Sequence, residues 1–188
     1  KFLNDVTCGQ VVLVVNELEI ETMQQLLSDA GVKNPRIEIV SGGSERQYSV
    51  YHGLQVVREE VVLVHDGARP FVTQQMISEC FELAKKGHPS IVAVPVKDTM
   101  KRVVNGVVVE TPNRDEMYSV QTPQAAPTEL LKKAHEAAKK THFLGTDEAS
   151  LIEKYTDIPV CVVKGAYTNI KLTTPEDLLM AEQLLVAE

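Results

Sequence analysis

Short runs of β-branched residues alternate along the chain with longer segments whose apolar residues recur at helical spacing. The short runs predict strands at residues 10–15, 36–40, 61–65, 90–96, 117–120, 160–163 and 169–172. The helical spacing predicts helices at 20–30, 45–57, 73–86 and 128–140, with two more that open at Thr146 and Thr174. This alternation is typical of a single α/β domain, here spanning residues 1–188, with a mostly parallel sheet.

The rhythm changes between residues 102 and 109, where two β-branched runs flank Asn105-Gly106. Asn-Gly between such runs is the strongest short-range signal for a hairpin with a type I′ turn. We expect this hairpin to project from the main sheet as a β-arm, over about residues 100–120. A solvent-exposed arm is one explanation, but its apolar residues favour a contact within a homodimer.

Composition limits the classes of function. The chain has 188 residues, 44% of them hydrophobic, and a net charge of -7, which argues against a nucleic-acid binder. No apolar stretch is long enough to span a membrane, and no signal-peptide pattern is present. Three widely spaced cysteines, Cys8, Cys80 and Cys161, predict free thiols and a cytoplasmic protein.

The segment His65-Asp66-Gly67-Ala68-Arg69-Pro70 directly follows the apolar run Val61-Val62-Leu63-Val64. Open α/β sheets bind ligands at the carboxyl ends of their strands, which is where Asp66 is expected. Its carboxylate can hold a divalent cation, and Arg69 can bind a phosphate. A simple Asp-Gly turn is the competing explanation. Strand alternation places His65 on the opposite face, so we interpret it as a packing residue.

A second candidate is Gly42-Gly43-Ser44, which follows a predicted strand and opens a helix, with Ser44 as its expected N-cap. Glycines let a ligand approach the backbone closely, and a helix amino terminus favours anions. Ser49, one turn further, is expected to face the same crevice. Taken alone, an ordinary turn explains the glycines more simply, and an exposed helix serine is the alternative for Ser49.

Further polar residues follow other strands or open helices: Thr99, Arg114, Thr122, Thr146 and Lys171. Helix caps and solvated charges are the ordinary explanations, except for Lys171, which interrupts an apolar strand. Because the ends of parallel strands share one edge of a sheet, we expect these residues near Asp66 and Arg69. One acid among several phosphate-binding groups predicts phosphoryl or nucleotidyl transfer.

Six segments, taken in order, carry a family resemblance. They are Gly42-Gly43-Ser44-Glu45-Arg46, Val64-His65-Asp66-Gly67-Ala68-Arg69-Pro70, Pro95-Val96-Lys97-Asp98-Thr99, Gln121-Thr122-Pro123-Gln124, Thr146-Asp147-Glu148-Ala149-Ser150 and Asn169-Ile170-Lys171-Leu172-Thr173-Thr174-Pro175-Glu176-Asp177-Leu178. Together they resemble the 2-C-methyl-D-erythritol 4-phosphate cytidylyltransferases of the non-mevalonate isoprenoid pathway. The resemblance implies a three-layer, Rossmann-like nucleotidyltransferase fold of the glycosyltransferase-A type.

The resemblance also implies the reaction. CTP and methylerythritol phosphate give 4-diphosphocytidyl-2-C-methyl-D-erythritol and pyrophosphate, with Mg²⁺. By resemblance, Asp66 lies at the metal and the CTP phosphates. The cytidine is held near Gly42, Gly43, Ser44 and Ser49, although the family often has Asp at position 44. The methylerythritol phosphate is surrounded by Arg69, Thr99, Thr122, Thr146, Arg114 and Lys171. The last two orient it, and the arm with Arg114 reaches across a homodimer.

One departure from the family is large. The family begins with a strand and a Gly-rich loop whose arginine and lysine stabilise the transition state, and the sequence has no such segment. We expect the protein to possess this segment, rather than to be a true fragment. A ribitol 5-phosphate cytidylyltransferase is the alternative enzyme. A non-catalytic nucleotide-binding or dimerisation module is the alternative of another class.

Overall fold

The computed structural model describes residues 1–186 of the chain. The strands are β1 (Val11–Val15), β2 (Ile37–Ser41), β3 (Val61–Val64), β4 (Ser90–Pro95), β5 (Arg102–Val104), β6 (Val107–Glu110), β7 (Tyr118–Pro127) and β8 (Cys161–Lys164). The α-helices are α1 (Ile20–Asp29), α2 (Arg46–Val56), α3 (Gln74–Lys85), α4 (Thr128–Lys140), α5 (Glu148–Tyr155) and α6 (Pro175–Val186). The predicted α/β class is therefore confirmed.

The strands of the main body form two separate sheets. β1 pairs with β2 in parallel, and the larger sheet has the order β3-β7-β4-β8. β7 runs antiparallel to both of its neighbours, whereas β4 and β8 are parallel. Three of the four strands in the larger sheet therefore point in one direction, and β7 is the exception to the predicted parallel arrangement.

Helices cover both faces of the larger sheet, which gives three layers. On one face, α3 packs Met76, Ile77 and Cys80 against β4 and β7. On the other face, Leu131 and other residues of α4 and α5 pack against β7. Ala125 belongs to the first core and Ala126 to the second, as expected for successive residues of one strand.

Two sequence predictions near the site are wrong in detail. Residues 169–172 do not form a strand; they form an irregular segment before α6. The buried Asn169 side chain donates hydrogen bonds to Thr122 O (3.0 Å) and Gln121 Oε1 (3.3 Å), so side-chain bonds replace a strand ladder there. Thr122 does not follow a strand either, because β7 continues to Pro127.

Two predicted helix starts also shift by one residue. The N-cap of α2 is Glu45 rather than Ser44, and its side chain makes no capping bond. The N-cap of α5 is Asp147 rather than Thr146, because the Asp147 side chain accepts the Ser150 amide in a capping box. The Asp147 carboxylate reaches the Ser150 amide three residues further on, whereas Thr146 lies one residue too early for this capping bond.

The predicted hairpin is present as β5 and β6, joined by Asn105 and Gly106. Both residues have positive φ, 49° and 79°, which is the backbone geometry of a type I′ turn. Five valines of the hairpin are exposed: Val103, Val104, Val107, Val108 and Val109. An Arg102–Glu110 ion pair at 2.8 Å closes its base.

None of the helices within residues 1–186 is both long enough and apolar enough to cross a lipid bilayer. The three cysteines are free, as predicted, although only Cys80 is fully buried.

The core on the α4 side generates the first prediction. Leu131 is 1% exposed, so Leu131→Ala should lower the free energy of unfolding by about 2–5 kcal/mol through lost burial and a cavity. Leu18→Ala is the matched control, since Leu18 is 90% exposed and its loss should change stability little. Urea denaturation followed by circular dichroism measures both. Equal effects would contradict the assignment of this core.

Candidate functional site

Asp66 lies at the centre of a cluster of charged side chains, directly after β3. Its Oδ1 is 3.1 Å from Arg46 Nε, and its Oδ2 is 2.9 Å from Lys171 Nζ. Arg69 Nε is a more distant partner, 3.8 Å from Oδ2. The turn itself is closed by a hydrogen bond from the Arg69 amide to Asp66 O at 2.9 Å. Three of the predicted site residues, Asp66, Arg69 and Lys171, are thus brought together.

Arg46 connects this turn to the start of α5. Its Nη1 and Nη2 donate hydrogen bonds to the two carboxylate oxygens of Glu148, at 2.8 and 3.0 Å. Such a bidentate pair is geometrically specific as well as strong. Glu148 is only 3% exposed, so Arg46 provides the charge that a buried carboxylate requires.

The electrostatics of the two carboxylates differ. Burial alone would raise the pKa of Asp66, but the hydrogen bond from Lys171 and the charge of Arg46 outweigh it and lower the pKa. For Glu148 burial dominates, and its pKa is raised despite Arg46. Asp66 is therefore a stable anion at neutral pH, surrounded by cations.

The Gly42-Gly43 turn leads from β2 into α2, and its glycines are required by packing. A Cβ on Gly42 would lie 2.7 Å from Ser49 Oγ, and one on Gly43 would lie 2.5 Å from the Cβ of Tyr48. Ser49 Oγ accepts the Gly43 amide at 3.0 Å and lies 3.1 Å from Glu45 O. The Ser49 hydroxyl therefore holds this turn, and its predicted contact with cytidine stays a prediction.

A cavity of about 260 Å³ opens beside this turn. Gly43 and Ser44 border it, and aromatic side chains of α2, Tyr48 and Tyr51, line it together with Lys139 of α4. Two of the residues predicted to hold cytidine therefore adjoin a space with aromatic walls and a positive charge.

Three predicted substrate residues are not brought into contact with the Asp66 cluster. Thr99 and Thr146 are exposed and make no side-chain hydrogen bond within the described part of the chain. Arg114 is also exposed, and its Nη1 donates to Lys97 O at 3.2 Å. All three follow strands or open elements at the surface, so their roles toward a substrate stay predictions.

Thr122 and His65 join the cluster through hydrogen bonds. Thr122 Oγ1 accepts the Asp66 amide at 3.1 Å and lies 2.9 Å from His65 Nδ1, while His65 Nε2 lies 3.0 Å from Arg69 O. The interpretation of His65 as a packing residue is therefore incomplete. Its ring does pack on Phe2, with centroids 5.0 Å apart, but both of its nitrogens are also hydrogen-bonded.

Arg46 and Glu148 are the functional residues that sequence reasoning missed. Both occur in segments that carry the family resemblance, but the sequence analysis assigns no role to either residue. Their pairing joins residues 102 positions apart, so no local pattern reveals it. An arginine three residues after the Gly-Gly pair, at the start of a predicted helix, was the one available signal.

Comparison with known proteins decides the family. The sequence model of the 2-C-methyl-D-erythritol 4-phosphate cytidylyltransferase family (IspD) matches residues 1–187. This chain belongs to that family. The cytidylyltransferase of Bacillus velezensis is 50% identical over 188 residues, which cover all of this chain and 81% of the relative. The one of Bacillus cytotoxicus is 51% identical over 185 residues, covering 98% of this chain and 81% of the relative.

Solved cytidylyltransferase structures share the fold. A 4-diphosphocytidyl-2C-methyl-D-erythritol synthase from Anaerococcus prevotii superimposes with a TM-score of 0.86 at 33% identity, covering 94% of this chain and 78% of that one. The 2-C-methyl-D-erythritol 4-phosphate cytidylyltransferase from Thermus thermophilus gives a TM-score of 0.79 at 29% identity, covering 98% and 84%. The expected nucleotidyltransferase fold is thereby confirmed.

The buried ion pair of this cytidylyltransferase generates the second prediction. Arg46→Met leaves Glu148 without its partner and should lower the free energy of unfolding at pH 7 by about 3–5 kcal/mol. A raised folded-state pKa favours the protonated form, so the loss should shrink as the pH falls toward 4.5, the ordinary pKa of Glu148. Urea denaturation at pH 7 and pH 5 measures this difference.

Two controls sharpen this test. In the double variant Arg46→Met with Glu148→Gln, the loss should be smaller and should depend less on pH. Arg58→Met removes an exposed ion pair with Glu38 (3.1 Å) and should change stability by less than about 1 kcal/mol. A destabilisation by Arg46→Met that is equal at both pH values would contradict the assignment.

Proposed function

We propose that this protein transfers the cytidylyl group of CTP to 2-C-methyl-D-erythritol 4-phosphate, releasing pyrophosphate, in isoprenoid biosynthesis. The observation that carries the proposal is the Asp66 carboxylate held between Arg46 and Lys171, with Arg69 beside it. Membership of the cytidylyltransferase family and the names of the relatives support the choice of substrates. Ribitol 5-phosphate is the alternative acceptor, and the experiment below distinguishes it from methylerythritol phosphate.

The charge arrangement suits this chemistry. Nucleotidyl transfer depends on positioning and on neutralising phosphate charge, rather than on covalent catalysis. The acceptor phosphate oxygen is already an anion, so no general base is needed. We assign Lys171 and Arg69 to the phosphates, because both cations lie beside Asp66. Arg114 is assigned to the acceptor phosphate, and Thr99 and Thr146 to the acceptor alcohol, as extensions of the same proposal.

We assign Mg²⁺ to Asp66. Within residues 1–186, no three His, Cys, Asp or Glu side chains cluster into a metal site built by protein alone. Mg²⁺ is commonly bound by one or two carboxylates together with substrate phosphates, and Asp66 provides one such carboxylate. Glu148 is buried and bound to Arg46 through both oxygens, whereas Oδ2 of Asp66 pairs with the exposed side chain of Lys171, so Asp66 is the fitting ligand. The bound ion would neutralise charge on the CTP phosphates.

We also propose a homodimer formed through the β-arm. The arm exposes five valines in close succession, and Val103 pairs with Val108 and Val104 with Val107 across the hairpin, so both cross-strand valine pairs are open to solvent. Arg114 lies in the arm, after its hairpin, and makes no contact with the Asp66 cluster of its own chain. A partner subunit would give both features a role. The free cysteines support a cytoplasmic location as part of this proposal.

Pyrophosphate release by the full-length protein tests the function. With CTP and Mg²⁺, release is expected with methylerythritol phosphate and not with ribitol 5-phosphate, and chelation of the metal should abolish it. Release with ribitol 5-phosphate alone would keep the chemistry and overturn the acceptor. Folded protein that is silent with both would overturn the enzyme and favour a binding module.

The arm generates a separate prediction. Val108→Lys places a charge on the exposed apolar face and should convert a dimer into a monomer in sedimentation velocity experiments. Turnover should fall in the same variant, because Arg114 loses its place beside the partner's site. Val6→Lys is the control, since Val6 is 98% exposed and lies outside the arm. A monomeric wild-type protein, or a dimeric Val108→Lys variant, would contradict the proposal.

A further inference from the structure

We propose that His65 and Thr122 are positioning residues, which act through a hydrogen-bond chain of fixed direction that clamps both ends of the Asp66–Arg69 turn. This inference rests on the proposed function, because the turn carries the side chains assigned to the metal and the phosphates. Neither residue needs to touch a substrate in order to act.

The direction of the chain follows from what each group can donate. The Asp66 amide can only donate, so Thr122 Oγ1 accepts at this 3.1 Å contact. At the other end, Arg69 O can only accept, so His65 Nε2 must carry a proton at this 3.0 Å contact. A neutral imidazole has a single N–H, so His65 Nδ1 is an acceptor. Thr122 Oγ1 therefore donates its only proton to Nδ1 across 2.9 Å.

The surroundings of His65 favour the neutral ring that this assignment requires. The His65 side chain is partly buried, with both ring nitrogens in hydrogen bonds to protein groups, and burial disfavours a charged ring. The ring packs on Phe2, and the charged groups nearest to it, Asp66 and Arg69, carry opposite signs. A neutral His65 in the Nε2–H form satisfies every contact. In the Nδ1–H tautomer, Nε2 would be an acceptor that faces Arg69 O, which is also an acceptor.

The clamp acts on the backbone of the site. Thr122 holds the amide at the start of the turn, and His65 holds the carbonyl at its end. The turn also accepts the Leu172 amide at Ala68 O (2.8 Å), next to Lys171. A shift of the turn would therefore move the Asp66 carboxylate and Arg69 together and disturb the segment that carries Lys171. A displacement of about 1 Å in such a site lowers rates by about 100-fold.

This assignment alters the meaning of Thr122, which the family resemblance places at the substrate. Its hydroxyl proton is donated to His65, and it already accepts the Asp66 amide. If Thr122 positions the turn, its loss should lower kcat, because the reacting groups are misplaced after binding. If it binds the acceptor directly, its loss should raise mainly the KM for methylerythritol phosphate.

The first experiment measures the tautomer without any assay of activity. In protein labelled with ¹⁵N-histidine, long-range ¹H–¹⁵N spectra at pH 7 should show His65 with a protonated Nε2 and an unprotonated Nδ1. Comparison with His65→Gln identifies its signals. An Nδ1–H tautomer, or a charged ring at pH 7, would overturn the proposal. This readout is independent of the proposed function, whose failure would show instead as wild-type protein without turnover.

The second experiment uses matched variants in the pyrophosphate assay. Thr122→Val keeps the shape and removes the hydroxyl, and should lower kcat by about 10- to 100-fold with less than about threefold change in either KM. Thr122→Ser retains both hydrogen bonds and should stay within a few-fold of wild type. At the Arg69 end of the chain, His65→Gln retains a donor for Arg69 O, so its kcat should be higher than that of His65→Leu.

Three results would overturn this part of the proposal. The first is wild-type turnover in Thr122→Val. The second is a loss of kcat in Thr122→Ser that equals the loss in Thr122→Val. The third is an effect of Thr122→Val that is confined to the KM for methylerythritol phosphate. Urea denaturation accompanies each variant, so that a loss of kcat is scored only in folded protein.

Discussion

The structure depends on one carboxylate held by cations from distant parts of the chain. Asp66 follows β3, Arg46 begins α2 and Lys171 precedes α6, so their contacts fix three segments relative to one another. With Arg69 and Glu148 included, three positive charges face two negative ones. The cluster therefore carries a surplus of positive charge within a chain whose net charge is -7. This local excess is what an incoming polyphosphate requires.

The same arrangement lets the groups exchange partners. Arg46 has Glu148 as a second, bidentate partner, whereas Lys171 has Asp66 as its ion-pair partner. A phosphate that attracts Lys171 would free one oxygen of Asp66 for a metal ion. Binding of the phosphate and binding of the metal ion would then favour each other. Both disrupt the Lys171–Asp66 ion pair, and each supplies a new partner to one of its two residues.

Much of the site could be predicted from short patterns. Asp66 and Arg69 lie directly after β3, where the sequence marks the end of a strand with polar residues. Lys171 reaches Asp66 from the irregular segment before α6 rather than from a strand end. The Asn-Gly turn was also predictable, because a type I′ turn needs two residues with positive φ. The pairing of Arg46 with Glu148 was not, since it joins helices that only the tertiary fold brings together. The position of Thr122 inside β7 was hidden because the polar segment Gln121-Thr122-Pro123-Gln124 interrupts the apolar pattern of a strand that is nonetheless buried.

The division of the strands into two sheets has a mechanical consequence. Within residues 1–186, β1 and β2 share no backbone ladder with the larger sheet. The seam between the sheets is bridged by α2, whose Leu54 packs with Ala126 of β7 and whose Val56 O accepts a hydrogen bond from Gln10 at 2.9 Å. The glycine turn lies on one side of this seam and Asp66 on the other. A nucleotide whose base meets the glycine turn and whose phosphates meet the cations around Asp66 would join the two sheets, and so become a structural element of the domain that it occupies.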